Sequence, residues 1–300
     1  MFRKIIMLAL FGHVLLAHAG DDESANTVVR DDQAVSAAFN RAPPPRLQSA
    51  IVMIYDEQDQ RPIYSKNADN VVPIASITKL MTAMVILDAK LPMDEPISIS
   101  AEDRDRLKGS HSRMRSGMTL TRAELIKLAL MASENRAAYA LARTYPGGTT
   151  VMLAMMNAKA RELGMMSTRF NDPTGLNSTN VSTAQDLVKM VMAAQTYEEI
   201  QRCTTTSSHI VQVDGRRPIR YSNTNPLVRN SQWDIGLSKT GYISEAGRCL
   251  VMQAKITNRP TVIVLLDSWG KRTRVGDAVR VKHWMENTVS GNIRRVSRRG

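Results

Sequence analysis

The sequence is poor in the residues that build metal centres and nucleic-acid surfaces. Among its 300 residues there are two cysteines and five histidines, and the histidines show no metal-ligand spacing. Aromatic residues make up 5% of the chain, and no motif combines them with basic residues as nucleic-acid binders do. We therefore expect no metal, no cofactor, no nucleic-acid partner and no Ser-His-Asp triad built around an evident histidine.

Long apolar runs are also scarce, and the one near the start of the chain is short. Arg3 and Lys4 precede the run Ile5 to Leu16, and Ala17-His18-Ala19 follows as a small-x-small cleavage signal. The run is too short to span a membrane, and no cysteine beside it could carry a lipid. We expect residues 1–19 to be a secretory signal peptide, and the mature protein to be exported without a firm membrane anchor.

Positive charge exceeds negative charge, which restricts the partners. The formal net charge is +12, and loss of Arg3 and Lys4 with the signal leaves +10. A basic surface suits an anionic environment, such as a cell-wall polymer or acidic lipid heads. An oxidising compartment would also permit a disulfide between Cys203 and Cys249. Because the sequence does not give the distance between the two thiols, their pairing stays open.

One stretch, residues 72–87, organises the chain. From Ser76 onward it is an apolar helical pattern with no glycine or proline before Pro92. Ser76 and Lys79 are three residues apart, so both side chains lie on one face of the first helical turn. A buried ammonium is costly unless it is paired or partly neutral. The pattern therefore has two interpretations, a serine N-cap beside a lysine that reaches solvent, or a serine nucleophile with a desolvated lysine base.

Strand patterns open and close the chain, and helical patterns fill its middle. A flexible polar lead-in is expected at residues 20–47 and a basic tail at residues 288–300. The predicted strands are residues 51–55, 61–65, 209–213, 217–221, 236–240, 248–256 and 261–267, with a hairpin turn at Asp214-Gly215. The predicted helices begin near residues 76, 125, 136, 149, 183 and 277, and the last ends near residue 287. This order predicts an α/β (α+β) domain over residues 48–287, with a sheet part at about 48–75 and 205–287 and an inserted helical part at about 76–204.

Two further motifs follow Ser76-x-x-Lys79 in a fixed order. Ser133-x-Asn135 lies at a break between two predicted helices, and Lys239-Thr240-Gly241 ends a predicted strand. This order of three motifs resembles that of penicillin-binding proteins and serine β-lactamases. The stretches at residues 73–83 and 239–251 are similar to those of the low-molecular-mass D-alanyl-D-alanine peptidases of the S11 type. The resemblance covers about residues 45–287.

The resemblance implies a fold, a mechanism and a substrate. It implies a β-lactamase/transpeptidase-like antiparallel sheet flanked by helices, in a periplasmic enzyme that cuts D-Ala-D-Ala bonds of peptidoglycan and is acylated by β-lactam antibiotics. Ser76 would be the nucleophile, Lys79 the general base and Ser133 the proton relay. The implied substrate-binding residues are Asn135, Lys239, Thr240, Gly241 and Tyr242, with the backbone N–H groups of Ser76 and Tyr242 as the oxyanion hole.

One departure from the family pattern separates two specificities. Carboxypeptidases of this type usually place an arginine after the strand that follows Lys-Thr-Gly, where it holds the free carboxylate of the substrate. The corresponding run here is Asp267-Ser268-Trp269-Gly270, with Lys271 and Arg272 only later. The sequence therefore favours an endopeptidase that cuts cross-links over a carboxypeptidase that removes the terminal D-Ala.

Two other functions are compatible with the same fold. A serine β-lactamase needs a device for fast deacylation, and no convincing Glu-x-x-Leu-Asn element follows Ser133 at a suitable spacing. A non-catalytic wall-binding protein has no need of Ser76, Lys79, Ser133 and Lys239 together. Failure of a labelled penicillin to form a covalent adduct would favour the wall-binding protein over the peptidase.

Overall fold

The computed structural model describes residues 34–212 and 217–296 of the chain. The strands are β1 Ile51–Asp56, β2 Arg61–Lys66, β3 Val72–Pro73, β4 Pro96–Ser98, β5 Thr119–Thr121, β6 Val181–Ser182, β7 Ser208–Val211, β8 Ile219–Ser222, β9 Asp234–Ile243, β10 Gly247–Ile256 and β11 Arg259–Ser268. The helices are α1 at residues 34–41, α2 Lys79–Asp88, α3 Arg122–Met131, α4 Asn135–Arg143, α5 Gly148–Glu162, α6 Ala184–Ala194, α7 Glu198–Thr205 and α8 Thr273–Val296. Short 3-10 helices cover Ala75–Thr78, Ala101–Asp103 and Pro226–Arg229.

Five strands form one antiparallel sheet in the order β2-β1-β11-β10-β9. The first two strands come from the start of the chain and the other three from its end, so the helices between them are an insertion. Strand β9 lies at the edge of the sheet, where it packs against α7 and the 75–78 turn. The prediction of an antiparallel sheet flanked by helices, with an inserted helical part, is confirmed.

The central strands β10 and β11 are apolar in their middle, at residues 249–252 and 262–266, because both faces of the sheet are covered. On one face Leu250, Met252 and Leu265 pack against α8. On the other face Val251 and Val264 join the core of the helical part. Successive side chains of a strand point to opposite faces, so a strand buried on both sides reads as a continuous hydrophobic run. The sheet is therefore the middle layer of the domain, and its edge strand β9 is fixed by pairing with β10.

Helix α2 runs through the middle of the helical part. Eight of its ten residues are buried, so it is surrounded on all sides and has no polar face. The helices α3, α4, α5 and α6 all contact it. The ammonium of Lys79, at the first position of α2, is consequently enclosed by protein and fully buried.

The two ends of the described chain differ from the prediction. Part of the expected flexible lead-in forms α1, whose buried Phe39 stacks on Trp284 of α8 at a ring-centroid distance of 5.4 Å. Helix α8 also continues to Val296, past the predicted end near residue 287. The two helices cover each other's apolar residues, a pairing that the sequence of either segment alone does not reveal.

Some sequence predictions lie outside the described residues. Strands β7 and β8 pair as the expected hairpin, with Ser208 opposite Ser222, while its turn at Asp214-Gly215 is outside the described ranges. The signal peptide at residues 1–19 is outside them as well. Within residues 34–212 and 217–296, no helix has the length and apolar character needed to cross a membrane.

Candidate active site

The backbone around Ser76 is held in a strained turn. Ala75 has a φ of 48°, in the left-handed region that side chains with a Cβ rarely adopt. The turn is held by Asn180, whose backbone oxygen accepts from the N–H of Ile74 at 3.1 Å and whose Nδ2 donates to Thr78 Oγ1 at 3.1 Å. Ser76 makes no capping hydrogen bond, so the interpretation as an N-cap is wrong. Its side chain is 9% exposed and lines a cleft.

Lys79 contacts Ser76 directly from inside the protein. Its Nζ donates to Ser76 Oγ at 2.8 Å, to Asn135 Oδ1 at 2.8 Å and to the backbone oxygen of Thr174 at 2.7 Å. Burial lowers the pKa of Lys79 to about 7, against the opposing effect of the Asp172, Glu134 and Asp105 carboxylates. Both protonation states are therefore populated near neutral pH.

The three partners of Lys79 determine where its lone pair points when the amine is neutral. A protonated lysine has three N–H donors, whereas the neutral amine has two and one lone pair. The oxygens of Asn135 and Thr174 can only accept, so they take the two remaining N–H groups. The lone pair then faces Ser76, the partner whose hydroxyl can donate a proton. The neutral form of Lys79 is thus already aligned to remove the proton of Ser76.

The second and third motifs meet each other in the same cleft. Ser133 has a φ of 59° at the break between α3 and α4, and its Oγ accepts from Lys239 Nζ at 2.9 Å. Lys239 also donates to the backbone oxygen of Thr240 at 2.9 Å. Burial, then the charges of Lys79 and Arg274, lowers the pKa of Lys239 well below its usual value. A chain of polar contacts therefore joins the sheet edge to the helical part.

The cleft has a volume of about 500 Å³, and all three motifs contribute to its lining. Gly241 lies against the turn that holds Ser76, since a Cβ at this position would be 3.0 Å from Ser76 N and 3.0 Å from Ile74 O. Only a glycine permits this close approach of β9 to the backbone of Ser76. The predicted residues in the lining are Ser76, Ser133, Asn135, Thr240, Gly241 and Tyr242. The other lining residues are Lys108, Ser110, Leu176, Thr224, Ile243, Ser244 and Arg274.

The loop at residues 171–180 is a part of the site that the sequence did not identify as functional. It supplies the Thr174 carbonyl that holds Lys79, and Asp172 accepts from the N–H of Gly175 at 2.8 Å. Gly175 has a φ of 82°, and a Cβ there would be 1.8 Å from the oxygen of Ala75. The turn composition Asn-Asp-Pro-Thr-Gly predicts a loop, but a backbone carbonyl has no sequence signature of its own.

The expectation that no arginine lies beside the Lys-Thr-Gly strand is wrong. Arg274, in the first turn of α8, donates from Nη1 to the oxygen of Gly241 at 2.6 Å and to that of Cys249 at 3.1 Å. It lines the cleft, and burial lowers its pKa to about 10. Trp269 is 85% exposed and does not line the cleft. The arginine beside the strand therefore comes from the first turn of α8 and not from residues 267–270.

Burial determines the state of three further side chains. Glu134, the N-cap residue of α4, is 8% exposed and accepts from Ser112 Oγ at 2.8 Å. Burial raises the pKa of this carboxyl. Cys203 and Cys249 are both buried free thiols, so the disulfide that the sequence left open is not formed.

Comparison with known proteins places this geometry in a family. The sequence model of the S11 peptidases, described as D-alanyl-D-alanine carboxypeptidase, matches residues 38–270. The chain belongs to the S11 peptidase family. A D-alanyl-D-alanine endopeptidase of Pseudomonas aeruginosa is 44% identical to this S11 peptidase over 263 residues, covering 84% of both chains. A D-alanyl-D-alanine endopeptidase of Escherichia coli K12 is 44% identical over 254 residues, covering 84% of this chain and 82% of that one.

The fold of this S11 peptidase is also similar to that of a solved structure. The Streptomyces K15 DD-transpeptidase superposes with a TM-score of 0.75 at 25% identity, covering 81% of this chain and 98% of that one. The S11 peptidase therefore has the fold of a serine peptidase or transpeptidase. The family description and the two relatives differ on one point, since one says carboxypeptidase and the others say endopeptidase.

Proposed function

We propose that this S11 peptidase is a D-alanyl-D-alanine endopeptidase that hydrolyses peptide cross-links of peptidoglycan through an acyl-enzyme on Ser76. The observation that supports the chemistry most strongly is the 2.8 Å contact between Ser76 Oγ and the buried Nζ of Lys79. Because both other partners of Nζ are pure acceptors, its neutral form has one orientation, which suits a general base.

In the proposed acylation the oxygen of Ser76 attacks a D-Ala carbonyl while its proton passes to Lys79. The negative charge that develops on the carbonyl oxygen is stabilised by the backbone N–H groups of Ser76 and Tyr242. Ser133 then delivers its proton to the leaving amine as the C–N bond breaks, and the proton that Lys79 took from Ser76 replaces it on Ser133. Lys239, 2.9 Å from Ser133, donates the hydrogen bond that holds the relay hydroxyl in place.

Substrate binding is assigned to the walls of the same cleft. Asn135 holds an amide of the substrate, and Lys239 and Thr240 hold an anionic or carbonyl group of the leaving part. Gly241 and Tyr242 place the edge of β9 along the substrate backbone. Water then attacks the acyl-enzyme, and the carboxylate product leaves with Ser76 restored. A β-lactam antibiotic would acylate the same serine and leave slowly.

The choice of a cross-link as substrate is supported by the two relatives at 44% identity, both named endopeptidases. Arg274 supports the second candidate, a carboxypeptidase, because its guanidinium lines the cleft where a terminal carboxylate would lie. The two functions therefore differ in the size of the leaving group and not in the catalytic residues. We further propose that the protein is exported to the periplasm, where peptidoglycan is its partner.

Digestion of purified muropeptides separates the two candidates. Dimeric muropeptides and a monomeric pentapeptide are incubated with the enzyme, and the products are resolved by mass spectrometry. We expect dimers to be split to monomers while the pentapeptide keeps its last D-Ala. Rapid release of D-Ala from the pentapeptide with intact dimers would show a carboxypeptidase instead. Ser76→Ala protein is the control for contaminating hydrolases.

A further inference from the structure

A second cavity, which we call the arginine cavity, lies beside the catalytic cleft. It has a volume of about 590 Å³, and its lining includes Arg104, Arg106, Arg136, Gly109 and Ser116. Arg104 and Arg106 are exposed, and no carboxylate in the described parts of the chain lies within 4.0 Å of either guanidinium. Two guanidinium groups with free N–H donors thus border the same open space.

The carboxylates near this cavity form no ion pair with Arg104 or Arg106. Asp105 also lines the cavity, but its oxygens accept backbone N–H groups from Leu107 at 2.8 Å, Lys108 at 3.0 Å and Ser110 at 2.7 Å. These bonds fold the segment so that Arg104 and Arg106 lie on its exposed side. Glu102 borders an adjoining cavity of about 220 Å³ with the same two arginines, beyond ion-pair distance. The arginines therefore have room for an external anion.

The arginine cavity is joined to the catalytic cleft at two places. Gly109 precedes Ser110, which lines the cleft, and Arg136 follows Asn135, which contacts Lys79. Asn135 Nδ2 donates to Ser110 Oγ at 2.8 Å, so these two residues form the wall between the spaces. Consecutive Cα atoms are about 3.8 Å apart, and an extended chain advances about 3.3 Å per residue. A peptide that leaves the cleft over this wall reaches the arginines within a few residues.

We propose that the arginine cavity binds a carboxylate of the peptide arm of the cross-linked substrate, outside the catalytic cleft. The proposal rests on the proposed function, because a cross-linked peptide extends beyond the scissile bond and carries carboxylates on residues that do not react. A guanidinium binds a carboxylate through two parallel hydrogen bonds, a grip that an ammonium cannot reproduce. A small β-lactam fills only the cleft and gains nothing from these arginines.

The test compares Arg104→Gln/Arg106→Gln with a matched control. The control, Arg115→Gln/Arg161→Gln, removes the same charge from two exposed arginines that do not line the cavity. We expect the first variant to raise the KM for dimeric muropeptides by roughly five- to twentyfold, the size expected for two exposed guanidinium contacts. Its kcat, and its rate of Ser76 acylation by labelled penicillin, should stay within about twofold of the wild type. The control should match the wild type throughout.

Amidated muropeptides identify the group that is recognised. Blocking the carboxylates should raise the KM of the wild-type enzyme to the level of the double variant and leave that variant unchanged. Arg104→Lys/Arg106→Lys should recover only part of the affinity. A KM for unmodified dimers that is the same in the double variant and the wild type would overturn the proposal. So would a KM that the two substitutions raise as much with amidated dimers as with unmodified ones. Loss of binding to vesicles of anionic phospholipid with an unchanged KM would assign the arginines to a lipid surface instead.

A binding measurement separates this site from the proposed function. If the wild-type enzyme does not split dimers, monomeric muropeptide is titrated calorimetrically into Ser76→Ala protein with and without the two arginine substitutions. Weaker binding with Gln at both positions supports the arginine cavity even though the endopeptidase proposal has failed. Equal binding by both proteins refutes the arginine cavity as a peptide site.

Discussion

The protonation of Lys79 should set the rate at which Ser76 is acylated. Only the neutral amine can accept the proton of Ser76, and burial lowers the pKa of Lys79 to about 7. The neutral fraction is then about one half at pH 7, about one tenth at pH 6 and about one hundredth at pH 5. The second-order rate constant for acylation by a labelled penicillin should fall roughly tenfold for each pH unit below 6 and level off above 8.

Glu134 offers a way to move this profile without touching the reacting atoms. Its carboxylate is one of the charges that raise the pKa of Lys79, so Glu134→Gln should shift the midpoint to lower pH. The variant should therefore be acylated faster than the wild type at pH 5. Glu134 also accepts a hydrogen bond from Ser112. The control for structural damage is therefore the acylation rate constant above pH 8, which should equal that of the wild type.

Rates are measured from the time course of fluorescent penicillin bound to protein between pH 5 and 9. Lys79→Arg should show no acylation at any of these values, because arginine stays charged and cannot accept the proton. A profile that is flat between pH 5 and 8 would refute the role of Lys79 as the base. Substantial acylation of the Lys79→Arg protein would independently refute the role of Lys79 as the base.

Three further substitutions test the packing that supports the site. Gly175→Ala should cost about 3 kcal/mol of unfolding free energy and abolish penicillin labelling, because its Cβ would meet the oxygen of Ala75 at 1.8 Å; a normal urea midpoint with full labelling contradicts this. Between pH 7 and 10.5, Lys79 binds fewer protons in the folded protein than in the unfolded chain. The free energy of unfolding of the wild type, minus that of Lys79→Met, should therefore rise by about 3 kcal/mol from pH 7 to pH 10. A difference that does not depend on pH would show that Lys79 is not penalised by burial. Phe39→Ala should cost about 3 kcal/mol while labelling of Ser76 is unchanged, since α1 packs on the far side of the sheet; an unaffected urea midpoint would show that α1 does not support the domain.

The meeting of the three motifs could be predicted from the sequence because their order resembles that of the penicillin-binding proteins and serine β-lactamases. Ser76 begins a helical turn and Ser133 lies between two helices, as predicted, but Lys239 lies in the middle of β9 and not at the end of a strand. Because β9 is the edge strand of the sheet, Lys239 faces the helical part. The contact between Lys239 and Ser133, 106 residues apart in the chain, is the result.

There are physical reasons why the sequence did not reveal some parts of the site and of the fold. The Thr174 carbonyl is a backbone group, so no residue type marks it. Arg274 was missed because the expected position was sought only in residues 267–272, whereas the arginine lies in the first turn of α8. Helix α1 was missed because its apolar side is covered by Trp284, almost 250 residues later, and a local pattern does not show so distant a partner.

The most direct test of the account is to identify the residue that carries the acyl group. The protein is quenched with acid during reaction with a β-lactam and, separately, with dimeric muropeptide, then digested and mapped by tandem mass spectrometry. We predict one adduct in both reactions, on Ser76, with the mass of the opened β-lactam or of the acyl peptide. An adduct on another serine, such as Ser133 or Ser268, or hydrolysis of dimers by Ser76→Ala protein, would contradict the account.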